Sequence, residues 1–81
     1  MNLSSKRVLV TGGAVRIGRA IAEALQAEGA EVIIHYRSSE PNWPTAIQAD
    51  LSDPAQCEAL LERTAEQFGP IDILINNAAV F

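Results

Sequence analysis

At 81 residues the chain is one small domain at most, near the lower limit for a core that holds itself together. Hydrophobic residues make up 48% of it and the net charge is -4, an acidic balance that argues against a general nucleic-acid binder, since polyanions need a basic surface. One cysteine, Cys57, excludes an internal disulfide and fits a reducing compartment. One histidine and one cysteine supply no metal-ligand cluster.

Lys6 and Arg7 followed by Val8-Leu9-Val10 imitate the start of a secretion signal, but Thr11, two glycines and Arg16 break the apolar run before it gains length. The expected setting is the cytoplasm, with no membrane segment and no membrane partner. A first strand is predicted over Arg7 to Thr11. Its three consecutive apolar residues suit a central parallel strand covered on both faces. A helix follows from Arg16 to Glu28, with Ile17, Ile21 and Leu25 on one face and Ala20 and Ala24 beside them, and Gly29 closes it. Glu31 to Tyr36 carries Val32-Ile33-Ile34 and reads as a second buried strand.

Between Arg37 and Pro44, two prolines forbid a regular helix, so the segment is a loop. Thr45 to Ala49 then forms a short third strand ending at Asp50. Parallel crossovers normally contain about a dozen residues or more, often a helix, and here that helix is missing. Right-handed crossovers put the first helix and the missing one on the same face of the sheet, which predicts that Trp43 and the prolines fold back over the bare part. A second helix starts at Ser52-Asp53-Pro54, with Asp53 as cap, Pro54 at the first helical position and Gln56 completing a capping box. Cys57, Leu60, Leu61, Thr64, Ala65 and Phe68 form its apolar stripe, Cys57 being read as core. Glu58, Glu62, Arg63 and Glu66 form its wet side. Gly69-Pro70 stops it, and Asp72 to Asn76 is the fourth strand.

This order is the first half of a doubly wound parallel sheet with strand order 3-2-1-4. Such sheets bind ligands at the carboxyl ends of their strands, beside the point where the order reverses. The distinctive polar residues gather at those ends: Thr11-Gly12, Tyr36-Arg37, Asp50 and Asn76-Asn77. The first turn sends the opening of a helix, with its unpaired N–H groups and positive dipole end, toward that crevice, where a phosphate is the natural occupant. The strict G-x-G-x-x-G fingerprint is not met, because Ala14 stands at its second glycine. The phosphate loop of nucleoside triphosphatases fails at Arg19 and Ala20, where lysine and a hydroxyl are required.

Thr11-Gly12 and Gly18, in the spacing T-G-x-x-x-[AG]-x-G straight after a strand, resemble the short-chain dehydrogenase/reductase family. Arg16 at the Ala/Gly position resembles its pteridine-reductase-like branch. Asp50-Leu51 is similar to the family's Asp-[Leu/Val] pair beside the adenine ring, and Asn76-Asn77-Ala78-Ala79 to its N-N-A-G segment, with Ala79 replacing glycine. The resemblance implies a Rossmann-type fold of which residues 1 to 81 are the amino-terminal, cofactor-binding half of one domain, and cofactor contacts from Thr11, Gly12, Arg16, Ile17, Gly18, Tyr36, Arg37, Ser38, Asp50, Leu51, Asn77, Ala78 and Ala79. Plain alternatives stand beside these roles: Thr11 as a structural strand-end hydroxyl, Arg37 as a solvated loop arginine, Asp50 as a helix cap. His35 reads as a strand residue facing a neighbour.

A NAD site places an acid at the end of the second strand. Here His35-Tyr36-Arg37-Ser38-Ser39 offers no carboxylate before Glu40, while Arg37 and two hydroxyls suit a 2′-phosphate, so NADP(H) is the expected cofactor. Phe81 follows Asn77-Ala78-Ala79-Val80 where pteridine-reductase-like sequences stack a flat pterin on an aromatic ring; an apolar residue opening the next segment is the alternative. The family's catalytic serine and Tyr-x-x-x-Lys have no counterpart, since Tyr36 is the one tyrosine and Lys6 the one lysine. No residue here is therefore assigned a catalytic role; those residues would follow Phe81, and the segment alone is expected to be inert. The resemblance implies an NADPH-dependent oxidoreductase acting on a carbonyl or pterin-like substrate, homo-oligomeric as a whole protein. The competing reading is a sensor with the same cradle and no chemistry.

Overall fold

A computed structural model describes residues 3–14 and 16–77. Its elements are β1 (Arg7–Thr11), α1 (Arg16–Ala27), β2 (Glu31–Tyr36), β3 (Ala46–Gln48), α2 (Pro54–Phe68) and β4 (Ile73–Asn76). All four strands are parallel in the order β3-β2-β1-β4, with Leu9 opposite Ile33 and Leu74, and His35 opposite Ile47. The sheet order and the short loop in place of a crossover helix match the expectation. The third strand is shorter than expected, three residues rather than five.

Alternation along β1 and β2 splits their apolar residues between the two faces. On one side Val8, Val10, Val32 and Ile34 meet Ala22, Ile21 and Leu25 of α1, with Trp43 packed against them. The indole thus covers the face where a second helix would lie. Because β3 begins only opposite Ile34, the Val32 carbonyl has no strand partner on that side. The Trp43 indole N–H donates to it at 2.8 Å, and the Thr45 hydroxyl donates to it as well. Arg19 of α1 lies 5.1 Å over the indole and donates to the Asn42 carbonyl, pinning the loop to the helix.

The expected face of α1 holds at Ile21 and Leu25 and is corrected at Ile17, Ala20 and Ala24. Gly18 and Ala22 are its buried residues, whereas Ile17 is 70% exposed and Ala20 and Ala24 face outward. The helix turns Gly18 and Ala22 onto the sheet together with Ile21 and Leu25, which leaves Ile17 outside the core.

On the other side Leu9, Ile33, Ile47 and Ala49 meet Leu60 of α2, with Leu51, Phe68 and Ile71 around them. The stripe predicted on α2 is narrower than expected: Leu60 and Thr64 are buried and Phe68 half-buried, but Cys57, Leu61 and Ala65 are exposed. Leu74 on β4 is 45% exposed and Leu61 46%. The face beside β4 has no described element over it, so the outer half of the stripe has nothing to pack against. Asp53 caps α2 through the Ala55 N–H. The Gln56 half of the capping box is also corrected: its Oε1 accepts the Asp50 N–H at 2.8 Å, because the Asp53 N–H is already taken by the Asp50 carbonyl.

Candidate functional site

The turn after β1 is built from backbone groups. Gly12 has φ 66°, in the left-handed region that a side chain disfavours. Its carbonyl accepts from the Asn77 amide at 3.4 Å. A Cβ at Gly18 would collide with that carbonyl and come within 2.6 Å of the Asn77 amide nitrogen, so the first turn of α1 reaches the strand only because residue 18 has no side chain. The sequence spacing from Gly12 to Gly18 thus has a concrete cause, one glycine bending the chain and the other letting it fold back upon itself.

Thr11, expected as a cofactor contact, is buried and its hydroxyl is engaged across the sheet. It donates toward the Ile75 carbonyl and the Asn76 side-chain oxygen, and accepts the Asn77 N–H at 2.9 Å. This arrangement fits the structural alternative: Thr11 locks the end of β1 to the end of β4. Neither amide of the Asn76-Asn77 pair is left as a core polar group, Asn76 meeting Thr11 and Asn77 meeting Gly12.

Arg16 and Ile17, at the mouth of α1, are exposed. Arg16 has φ 54°, the same left-handed region as Gly12. A β-carbon there costs about 1 to 2 kcal/mol. Glycine alone escapes that penalty, and arginine, like alanine, holds the position at a cost.

The end of β2 turns outward. Tyr36 is half-buried and its carbonyl accepts the Ala49 N–H, while Arg37 and Ser38 are exposed. The Arg37 side chain is 75% exposed, with Nε 3.9 Å from Oδ1 of Asp50. Asp50 also accepts from the Ser52 hydroxyl at 2.6 Å and the Ser52 N–H at 3.0 Å, both on Oδ1. These two bonds, the hydroxyl's first, hold its carboxyl below the usual range; desolvation opposes them, and the Arg37 charge adds the smallest of the four effects. Asp50 is not the cap of α2, since Asp53 fills that role. Leu51 is half-buried against the α2-side core. Ala78, Ala79 and Phe81 lie outside the described residues.

Thr11, Gly12, Gly18 and Asn77 are thus in direct contact, and Arg37 meets Asp50 across neighbouring strand ends. His35 is the strand residue facing a neighbour that the sequence suggested, and its place in this region was missed. Its ring accepts the Gly12 N–H at 3.1 Å and lies 2.8 Å from the Ala49 carbonyl, joining the ends of β1, β2 and β3. The signal available was a lone histidine directly after the apolar run Val32-Ile33-Ile34, on the face shared with Ile33.

The profile of the short chain dehydrogenase family matches residues 6–81. The chain belongs to that family. Among relatives of this short-chain dehydrogenase chain, galactitol 2-dehydrogenase of Agrobacterium fabrum is 42% identical over 90 residues, covering 100% of this chain and 35% of its own. Pteridine reductase 1 of Leishmania tarentolae is 36% identical over 104 residues, covering 90% and 36%. A short-chain dehydrogenase from Burkholderia cenocepacia J2315, solved in complex with NADP, superposes with a TM-score of 0.85 at 42% identity over 100% of this chain and 38% of that one. The chain spans little more than a third of the length of the curated relatives it matches. Among the described residues, no helix is long and apolar enough to cross a membrane.

Proposed function

We propose that residues 1–81 form the cofactor-binding half of an NADPH-dependent short-chain reductase acting on a carbonyl or pterin-like substrate. The observation that carries this reading is the exposed Arg37 at the end of β2, where a NAD site would present a carboxylate. The cradle fits a dinucleotide. Gly12 and Gly18 leave a backbone surface that a side chain would fill, the opening of α1 directs its N–H groups and dipole there, and Ile17 offers an exposed apolar contact.

In this reading the diphosphate lies against the α1 opening, Arg16 adds charge beside it, Arg37 and Ser38 hold the 2′-phosphate, and Asp50 and Leu51 border the adenine. Gly12 and Asn77 line the cofactor, the family pattern gives Ala78 and Ala79 the same part, and Thr11 keeps the β1 and β4 ends in register beneath it. The bound nicotinamide supplies the hydride. The family pattern assigns proton delivery to a tyrosine paired with a lysine four residues on. Tyr36 is followed at that spacing by Glu40, so that task falls outside these 81 residues.

The test is a titration of the intact protein with NADPH and with NADH. A charge-assisted bond to phosphate is worth about 1.5 to 3 kcal/mol, so NADPH should bind roughly 10- to 100-fold more tightly. Arg37→Asp should invert that order. Equal affinities in the wild-type protein, or an unchanged ratio in the variant, would refute the assignment.

A further inference from the structure

His35 is the one histidine of the chain, only 3% exposed, and the reduction just described gives it no part. Its two ring nitrogens face groups of opposite kind. Nδ1 faces the Gly12 N–H, which can only donate, and Nε2 faces the Ala49 carbonyl, which can only accept. The hydrogen therefore sits on Nε2 and the ring is neutral. The carbonyl of the same residue accepts the Gly13 N–H at 3.1 Å. One residue thus takes two successive donors of the turn and directs them into the sheet. The phosphate-facing amides must then come from farther along, toward the opening of α1. At its other end the ring holds the residue immediately before Asp50.

We infer that His35 is a positioning residue for the cofactor, a reading that rests on the dinucleotide site proposed above. As the Nε2–H tautomer it fixes the turn on the diphosphate side, and the Ala49 carbonyl holds the ring in that tautomer. An apolar side chain of similar volume would fill the space but leave a buried N–H and a buried carbonyl without partners, which is costly at both sites.

Two substitutions separate the ring's two ends. Asparagine places an oxygen where Nδ1 stands and keeps the acceptor for Gly12; glutamine places its amide where Nε2 stands and keeps the donor to Ala49. The experiment is done on the intact protein. Nitrogen-15 shifts of the imidazole should show hydrogen on Nε2 and none on Nδ1 at neutral pH. His35→Asn should hold NADPH within about threefold of wild type. His35→Gln should weaken it about tenfold, the equivalent of one hydrogen bond, although each variant loses one bond and their unfolding midpoints should agree. Hydrogen on Nδ1, equal weakening in the two variants, or affinities that simply track the midpoints would overturn the inference. If the wild-type protein takes up no NADPH, the cofactor reading fails by itself. The ring tautomer, and a Gly12 amide resonance that moves in His35→Gln but not in His35→Asn, then still decide whether His35 sets the turn.

Discussion

Replacing Gly18 by alanine should destabilise the protein, against what its helix alone would suggest. Gly18 lies inside α1 and is not among the glycines with positive φ, so alanine fits the backbone and gains about 1 kcal/mol of helix propensity. The added methyl, however, would enter the Gly12 carbonyl and stand 2.6 Å from the Asn77 amide nitrogen. The first obstacle is backbone at a strand end and cannot rotate away. Overpacking of this kind costs about 1 to 3 kcal/mol. Displacing Asn77 forfeits its bond to Gly12, about another 1 kcal/mol. The balance is a loss of about 1 to 3 kcal/mol, read as a lower denaturant midpoint at unchanged slope, together with weaker NADPH binding because the α1 opening is pushed from the strand. A Gly18→Ala protein as stable as wild type would mean that the helix and strand do not touch as described, and the cradle would lose its geometric basis.

Arg16→Gly should raise stability by about 1 kcal/mol, since φ 54° carries a penalty that glycine escapes, while weakening NADPH binding through the lost charge. Paired denaturation and binding curves check it, and a less stable variant would contradict the strain. Asp50 yields a pH dependence. Its folded-state carboxyl titrates below the ordinary aspartate value of 3.8, so its contribution to stability is present above the unfolded value and disappears as the pH falls through the folded one. Asp50→Asn should therefore flatten the acid limb of an unfolding-midpoint profile taken from well above to well below 3.8. An acid limb that stays as steep in the variant would refute the role of the Ser52 contacts.

The strands were legible because their apolar runs are uninterrupted and end at glycine, proline or polar clusters; β1 and β2 fall where the sequence puts them. The missing crossover helix was also readable, because Pro41 and Pro44 prohibit it whatever the tertiary context. Helix faces were harder. A 3.6-residue pattern marks which residues could be inward, and packing decides which are. Ile17 and Leu61 are apolar and periodic yet exposed, Ile17 because the helix rolls onto Gly18 and Ala22, Leu61 because nothing described lies over β4. In the site, glycine spacing and strand-end polar residues were visible in one dimension, whereas the partners of His35, Thr11 and Gln56 depend on which strand ends become neighbours. No local pattern encodes that a ring on β2 will meet a turn after β1 and a carbonyl after β3.

The indole of Trp43 does the covering that a crossover helix would otherwise do, and it does so beside an edge strand. β3 has three residues, one neighbouring strand and no helix of its own on that side. The margin that ends at Asp50 is therefore moored by single side chains, among them an indole, a threonine hydroxyl and an imidazole. Losing any one of these moorings would fray the sheet from that margin inward, while the middle strands keep their pairing.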